Sequence, residues 1–304
     1  MHTVIAVVPT YRPDPGVLER LDAIAEQLDR VVVVDDGSPS SSTVLDEIEA
    51  RGHILIRRAR NGGIATALND GIARALADGA EFVVNLDQDT VVPPGYVDAC
   101  LDTFDAASPA TRLGIVCADA INGHPSIPPR HSPEGFGLVD EAIQSGLVIS
   151  AKCLRTAGLM DDRLVIDCVD TEFCLRVRAA GFRIAVAAGT NLEHSLGEQA
   201  LFRPFGFQRY VNGEPARYQY HSPMRRYYIT RNNIDLALRC LRSRPRWVLS
   251  MVRREVTPAI KTITSGPHRA RHLLAAVTGV AHGLARRRGM IPAALQASLT
   301  PSRG

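Results

Sequence analysis

The chain has 304 residues, of which 45% are hydrophobic and 22% charged, and its formal net charge is +3. A chain of this size can bury one large core, or a core with a helical appendage. Its six cysteines form no CxxC pair and lie mostly in apolar runs, which indicates small core residues of a reducing compartment rather than a disulfide framework. The apolar runs are shorter than about 18 residues and the first lacks a basic lead, so neither a membrane span nor a signal peptide is expected.

Strand and helix patterns alternate through the first 90 residues. Unbroken apolar runs predict strands that are covered on both faces, and apolar residues at helical spacing predict the helices between them. The predicted strands cover 3–8, 31–34, 53–57 and 81–86, and the predicted helices cover 15–28, 40–50 (with a serine cap) and 64–77. This alternation predicts an α/β fold with a mainly parallel sheet and right-handed crossovers.

Polar residues follow the first three strands. The turn PTYR at 9–12 is too bulky for the glycine-rich turn of a dehydrogenase, so NAD binding is not expected. Asp35 and Asp36 can accept hydrogen bonds from a base or a ribose, although DGS at 36–38 is also an ordinary turn sequence. NGG at 61–63 opens a helix whose amides favour a phosphate or polar ligand, or it is only a tight turn.

Two carboxylates, Asp87 and Asp89, follow the fourth strand. Side chains two apart on a strand project to the same side, where like charges repel unless a cation lies between them. Ligands of open α/β sheets bind at the carboxyl ends of the strands. The pair therefore predicts a divalent cation with a diphosphate on its far side, with turn capping as the alternative.

These motifs, in this order, resemble the family 2 glycosyltransferases of the GT-A fold. The residues that carry the resemblance are VPTY at 8–11, VDDGS at 34–38, NGGIA at 61–65 with NDG at 69–71, and LDQD at 86–89. Farther on, IDCVDTEFCLR at 166–176 and LEHSLG at 192–197 are most similar to the bacterial rhamnosyltransferase branch. The similarity covers roughly residues 3–233.

The resemblance implies an inverting, metal-dependent transfer of L-rhamnose from dTDP-rhamnose to a polyprenyl-linked cell-surface saccharide. Related branches transfer galactofuranose or glucose with similar motifs. It implies Mn²⁺ or Mg²⁺ on Asp89 and His194, with Asp87 between ribose and metal; the alternative for His194 is a partly exposed side chain at a strand end. The donor-binding residues it implies are Pro9, Thr10, Tyr11, Asp35, Asp36, Gly63, Asn69, Asp87 and Gln88.

Glycosyl transfer also requires a base for the proton of the attacking hydroxyl, and Asp167, Asp170 and Glu172 are the candidates. Residues two apart do not share a helix face, so at most one of Asp170 and Glu172 can face a pocket with Asp167. Asp170 begins a predicted helix over 171–180, where helix capping alone accounts for a carboxylate. The resemblance assigns the base to Asp170, although Val169 stands where the family has a glutamate.

A sugar or acceptor pocket is the second expectation for this half of the chain. Asp167 and Glu172 are second choices there, and Gly146 would let the backbone approach the ligand. A strand is predicted over 113–118. The Pro- and Gly-rich segment 123–137 is predicted to be a loop that shapes the acceptor site.

The C-terminal part is strongly basic. After Glu214 the acidic residues are Asp235 and Glu255, against more than a dozen arginines. Predicted helices over 223–241, 247–263 and 268–288 mix these arginines with apolar residues. Such helices suit an anionic membrane surface near a lipid-linked acceptor; nucleic acid or a merely solvated face are the alternatives, and no RNA-binding motif is present.

The predicted organisation is a GT-A catalytic domain over 1–215, with a nucleotide-sugar half at about 1–120 and an acceptor half at about 121–215. A basic helical extension over 216–290 and a disordered tail over 291–304 follow. The expected location is the cytoplasmic side of the cell membrane, as a peripheral protein. A non-catalytic saccharide- or membrane-binding module with this fold is the alternative, whereas a nucleotidyltransferase would need a glycine-rich first loop.

Overall fold

The computed structural model describes residues 2–39, 43–194 and 199–300. Contacts divide the described residues into two compact units: one drawn from 1–162 and 169–195, the other from 163–168 and 196–304. The domain boundary placed at residue 215 by the sequence stays a prediction. Within the described ranges, every helix is too short or too polar to cross a membrane.

The first unit alternates strands and helices. Its strands are β1 Val4–Thr10, β2 Arg30–Asp35, β3 Ile54–Arg57, β4 Phe82–Asn85, β5 Leu113–Ile121, β6 His124–Pro125, β7 Arg130–His131, β8 Gly137–Val139, β9 Leu147–Ser150 and β10 Arg183–Leu192. Its helices are α1 Val17–Ala25, α2 Thr43–Ala50, α3 Ile64–Ala77, α4 Tyr96–Asp105, α5 Ala151–Ala157 and α6 Val169–Ala179. The serines predicted to cap α2, at 40–42, lie outside the described residues.

One sheet runs through this unit in the order β3-β2-β1-β4-β9-β5-β10-β8-β7. The pairs β1–β2, β2–β3, β1–β4 and β5–β10 are parallel, whereas β9 runs antiparallel between β4 and β5. The predicted mainly parallel α/β sheet is therefore confirmed. Because β1, β2 and β4 run in the same direction, their carboxyl ends meet at one edge of the sheet.

Both faces of the sheet are covered, which is why the strand sequences are continuously apolar rather than alternating. Val4, Ala6 and Val8 on one face of β1 belong to a core cluster with α1 and α4. The opposite face packs closely on α3, since a Cβ on Gly71 would lie 2.3 Å from Val7 Cγ1. Two-sided burial thus holds the strand ends in fixed positions.

The segment predicted as a loop over 123–137 is partly strand. It contains β6 and β7, and β8 begins at its last residue. Leu138 and Val139 pair with β10, and Arg130 pairs with Leu138. The prediction of a structureless loop is wrong here, because these residues extend the edge of the sheet and so satisfy their backbone groups.

The second unit is mainly helical. Its helices are α7 Pro223–Cys240, α8 Pro245–Ser265, α9 Arg269–Leu284 and α10 Ala293–Leu299, with a short 3-10 helix at Pro204–Gly206. Two small antiparallel pairs join β11 Gln199–Leu201 to β14 Arg217–Gln219, and β12 Tyr210–Val211 to β13 Glu214–Pro215. Small residues at Ala275, Gly279 and Gly283 let α9 approach α7, where a Cβ on Gly283 would lie 2.8 Å from the Arg231 carbonyl.

The predicted disordered tail is wrong for residues 293–299, which form α10. Ile291 and Leu299 are buried in a cluster with Tyr227 and Tyr228, and the Ile291 N–H donates to the Tyr228 hydroxyl over 2.9 Å. Two apolar residues eight apart form too sparse a pattern to indicate this docking from sequence. Residues 301–304 lie outside the described part of the chain.

Candidate active site

Three potential metal ligands converge just beyond β4. One ligand atom from each of Asp87, Asp89 and His194 lies within 4.8 Å of the other two. His194 Nε2 is 3.6 Å from an Asp87 carboxylate oxygen, and His194 Nδ1 is 3.4 Å from Asp89. The fold therefore brings together the three side chains that the sequence predicted as one site.

Backbone contacts position these ligands. The Asp87 N–H donates to Ser145 Oγ over 2.9 Å, and Val91 and Glu193 form an isolated antiparallel bridge beside the site. The Asn122 side chain forms two hydrogen bonds with the backbone of His194. Its Nδ2 donates to the His194 carbonyl over 2.7 Å, and its Oδ1 accepts from the His194 N–H over 2.9 Å. His194 is thereby held against the turn that carries both carboxylates.

The electrostatics of this corner favour an ionised Asp89. A hydrogen bond from His194 is the largest influence and lowers the pKa of Asp89 against the opposing effect of burial, with Arg20 adding a smaller lowering. Arg20 Nε also donates to the Gln88 carbonyl over 2.8 Å. The Gln88 side chain in turn accepts from the Tyr11 N–H over 2.9 Å, which joins the first predicted turn to the fourth.

The donor set fits a divalent cation. Two carboxylates and one imidazole combine the hard oxygen ligands that Mg²⁺ and Mn²⁺ prefer with a nitrogen ligand that suits Mn²⁺ better than Mg²⁺. All three side chains are half-buried, so a bound ion would remain open to a ligand on one side.

The acidic pair at the end of β2, Asp35 and Asp36, has different surroundings. Asp35 accepts from the Ser38 N–H over 3.1 Å and from the Ser38 hydroxyl over 2.5 Å. Asp36 is buried, pairs with Arg58 and accepts from the Gly62 and Gly63 N–H groups, each over 2.9 Å. Burial raises the pKa of Asp36, against the lowering effect of those two amides and of Arg58. The NGG turn is thus tied to Asp36 by the chain itself.

The first predicted turn lies beside this pair. Pro9 and Thr10 are the last residues of β1, and the Thr10 carbonyl accepts from the Asp36 N–H over 2.8 Å. Thr10 Oγ1 is buried and has no hydrogen-bond partner among the described residues. Tyr11 follows with an exposed ring. A buried, unsatisfied hydroxyl at the carboxyl edge of the sheet is a group that a ligand could satisfy.

Asp170 lies at the start of α6, as predicted. Its carboxylate accepts from the Thr171 N–H over 2.7 Å. Desolvation by the surrounding protein raises the pKa of Asp170, and the nearby Glu141 carboxylate raises it further, whereas backbone hydrogen bonds from Thr171 and Gln144 lower it. A carboxylate with a raised pKa is a better proton acceptor than an ordinary aspartate.

Comparison with known proteins identifies a family that the chain resembles. Residues 5–137 match the family model described as Glycosyl transferase family 2. The chain is also 29% identical to the dTDP-rhamnosyl transferase RfbF of Shigella flexneri over 248 residues, which are 75% of this chain and 78% of that protein. These two similarities support a family 2 glycosyltransferase.

Solved structures show the fold of this glycosyltransferase. S. aureus TarS matches with a TM-score of 0.56 and 14% identity over 98% of this chain, which spans 50% of the TarS chain. TarS residues 1–349 match with a TM-score of 0.57 and 15% identity, over 94% of this chain and 82% of that one. The glycosyltransferase therefore has the GT-A fold.

Two carboxylates predicted for the sugar pocket of this glycosyltransferase have salt-bridge partners. Glu172 pairs with Arg176 at 2.9 Å, and Arg176 also donates to the Leu159 carbonyl over 2.6 Å. Asp167 belongs to the second unit, where it pairs with Arg225 at 3.0 Å. Both contacts serve local structure, and a role in a sugar pocket stays a prediction for each.

Gly146 and Asn69 also contact other residues of this glycosyltransferase. Gly146 has φ +90°, and a Cβ there would lie 2.2 Å from Leu192 Cδ1, so its close approach is to Leu192 rather than to an open pocket. The Asn69 amide donates to the Met160 carbonyl over 3.0 Å and accepts from its N–H over 2.8 Å. Their predicted roles toward a ligand remain predictions.

Sequence reasoning missed four residues around the site: Arg20, Asn122, Glu141 and Ser145. Each is a single polar residue in a helix or loop, where the common interpretation is solvation. A positive φ of 51° at Asn122 is a structural feature that periodicity does not reveal. The Asn-Gly dipeptide at 122–123 was the one available signal, and it indicates a turn rather than a clamp.

Proposed function

We propose that this glycosyltransferase moves L-rhamnose from dTDP-rhamnose to a hydroxyl group of a lipid-linked cell-surface saccharide, with inversion at the anomeric carbon. The observation that carries the metal-dependent part is the convergence of Asp87, Asp89 and His194. The similarity to a dTDP-rhamnosyl transferase supports the choice of donor.

The proposed roles follow from the position of each group. Asp89 and His194 would hold Mn²⁺ or Mg²⁺, and Asp87 would lie between the ion and the ribose. When bound, the ion supplies positive charge to the departing diphosphate. Asn122 and Ser145 keep these ligands in place through the His194 backbone and the Asp87 N–H.

Asp170 would accept the proton of the attacking acceptor hydroxyl. As this happens, the hydroxyl oxygen forms a bond to the anomeric carbon, and the bond between that carbon and the diphosphate breaks. Its raised pKa matches this role, and the Glu141 carboxylate contributes to that raise. Glu141 offers a second negative charge near the base, which is of interest because Val169 replaces the family glutamate.

The nucleoside would be bound by the turn after β1 and the NGG turn. Thr10 Oγ1 has no hydrogen-bond partner among the described residues, while Asp36 holds Gly62 and Gly63 in place. The acceptor would be presented at the inner face of the cell membrane, with no nucleic acid as partner.

A donor panel tests this proposal. The protein is incubated with MnCl₂, an acceptor extract, and dTDP-rhamnose, UDP-glucose, UDP-galactofuranose or UDP-GlcNAc in parallel, and release of nucleoside diphosphate is measured. We expect release from dTDP-rhamnose, lost on addition of EDTA and in Asp170→Asn but kept in the control Asp102→Asn, an exposed aspartate on α4. Release from a different donor would replace the sugar assignment, and turnover that survives EDTA would remove the metal.

A further inference from the structure

The helix α8 exposes a second apolar side. Leu249, Val252, Val256 and Ile260 are each 41 to 55% exposed. Their spacing of three and four residues places them along one side of the helix. The side that packs in the second unit is different and carries Val248, Met251 and Thr262. A helix side that faces water normally carries polar residues, so this stripe calls for a partner surface.

Exposed aromatic residues lie next to α8. The 3-10 helix Pro204–Gly206 contacts α8, and Phe205 and Phe207 are 73% and 75% exposed. The Lys261 ammonium of α8 lies 5.4 Å from the centre of the Phe202 ring. The neighbouring helix α9 carries a stripe of the same spacing, formed by Leu273, Val277, Val280 and Leu284, each 39 to 59% exposed.

Basic residues accompany the apolar ones. Arg246, Arg253 and Arg254 of α8 and Arg269 of α9 are exposed, and the single acidic residue of the two helices is Glu255. From residue 199 to 300 the sequence has 18 arginines and lysines and three acidic residues. The apolar stripes thus lie in a region of strong positive charge.

We propose that Leu249, Val252, Val256, Ile260, Phe205 and Phe207, together the apolar docking face, bind the surface of an anionic lipid bilayer. Aliphatic and aromatic side chains would enter the boundary between headgroups and acyl chains, while the arginines meet lipid phosphates. Self-association is disfavoured because a two-fold contact would place the same basic surfaces opposite one another. Nucleic acid would leave the aliphatic stripe unburied.

Vesicle sedimentation tests the apolar part. The full chain is mixed with vesicles of phosphatidylcholine, alone or with phosphatidylglycerol, and the bound fraction is measured. We expect binding to the anionic vesicles that weakens with added salt. The variant Leu249→Gln/Val252→Gln/Val256→Gln/Ile260→Gln should bind at least about 100-fold more weakly. The control Ile127→Gln alters a 90% exposed apolar residue of the first unit and should bind like wild type.

A charge variant tests vesicle binding independently of the fourfold variant. It is needed because four substitutions in one helix could disturb the fold of α8. Arg253→Gln/Arg254→Gln should weaken binding by about 30-fold, since each basic residue near an anionic surface contributes about fivefold. Its control, Lys152→Gln/Arg155→Gln, removes two exposed cations from α5 and should bind like wild type. Circular dichroism and thermal melting establish that each variant is folded.

Two outcomes would overturn the docking face. In one, wild type stays in the supernatant with anionic vesicles, or both Gln variants bind as wild type does. In the other, light scattering shows a wild-type oligomer that the fourfold variant converts to monomer, while vesicle binding is equal, which assigns the face to a second copy. Vesicle binding needs neither donor nor metal, so it can fail or succeed independently of the proposed transfer reaction.

Discussion

The acidic pairs at the carboxyl ends of β2 and β4 look alike in sequence and have opposite surroundings in the structure. Both come where an apolar strand ends, and both lie at the same edge of the sheet, because β2 and β4 are the parallel neighbours of β1. Asp36 is paired with Arg58 and with two backbone amides of its own chain. Asp89 faces His194, a side chain that is itself a potential metal ligand.

The protonation behaviour of the two pairs differs in the same way. Burial raises the pKa of Asp36, whereas the His194 hydrogen bond lowers the pKa of Asp89. The first pair belongs to a structural turn whose cation, Arg58, is covalently part of the fold. The second offers an anionic, half-buried set of ligands to a cation from outside. A carboxylate pair alone does not distinguish a turn from a candidate metal site. The side chains that surround the pair make the distinction.

The largest effect should come from Asp89→Ala. Loss of a ligand would remove the cation that offsets charge on the leaving group, so kcat should fall by about 10³-fold. The free energy of unfolding should change by less than about 1 kcal/mol, because Asp89 has a partly exposed pair with His194. Isothermal titration with Mn²⁺ and urea denaturation measure the two quantities. Mn²⁺ affinity equal to that of wild type would show that the ion binds elsewhere.

Asp170→Asn should also lower kcat by about 10³-fold, if Asp170 is the base. Unfolding should be unchanged or require more free energy, since the raised pKa means that ionised Asp170 destabilises the folded state and Asn removes that charge. The exposed Asp102→Asn serves as the matched control. Near-normal turnover in a folded Asp170→Asn protein would move the base to another carboxylate.

The same carboxylate sets a pH dependence. The base must be deprotonated to act, so kcat/KM should fall as the pH drops through the pKa of Asp170, which lies above the ordinary aspartate value. Glu141→Gln removes a negative charge that raises this pKa, so the acidic limb should shift to lower pH. A profile of kcat/KM against pH for wild type and Glu141→Gln measures the shift, and an unmoved limb would exclude this coupling.

Asp36→Ala should act on stability first, in contrast to Asp89→Ala. It removes the partner of Arg58 and leaves two amides of the NGG turn without their acceptor, at a cost of about 3 kcal/mol. Arg58 keeps its second pair with Asp70 at 3.0 Å, which limits the loss. Urea denaturation measures it. A stable Asp36→Ala protein with lost donor binding would make this pair a ligand site like the other.

The parts of this fold that sequence could predict are those with a periodic pattern. The helix predicted over 64–77 is α3 residue for residue, and the apolar runs at 3–8 and 81–86 contain β1 and β4 to within two residues. Asp87, Asp89 and His194 were predicted as one site because family motifs connected a strand end to a histidine about 100 residues away. A strand that is buried on both faces has a continuous apolar sequence, which is easy to recognise. The end of that apolar run also marks the edge of the sheet.

The unpredicted parts depend on single long-range contacts. Asn122 reaches His194 over 72 residues and Ser145 reaches Asp87 over 58, and neither lies in a repeating pattern. Arg130 and Leu138 pair at the edge of the sheet. This pairing was not predicted, because the segment is rich in Pro and Gly and its composition indicates a loop. The exposed side of α8 reads in sequence like any amphipathic helix; tertiary packing decides which of its two apolar sides is buried.

The smallest effect should come from Thr10→Val, on the nucleoside side of the site. Thr10 Oγ1 is buried without a partner among the described residues, so replacing the hydroxyl by a methyl group of similar size should leave stability within about 1 kcal/mol or raise it. If that hydroxyl is kept for the donor, KM for the donor should rise about fivefold with little change in kcat, since a hydrogen bond made equally in ground and transition states affects binding alone. Thr66→Val is the matched control, because its hydroxyl bonds the Gly62 carbonyl over 3.2 Å within the NGG turn and should affect stability before KM. An unchanged KM in Thr10→Val would show that the Thr10 hydroxyl does not bind the donor, which would then be held by main-chain groups and the ring of Tyr11. The unpaired hydroxyl would in that case only lower the stability of the fold.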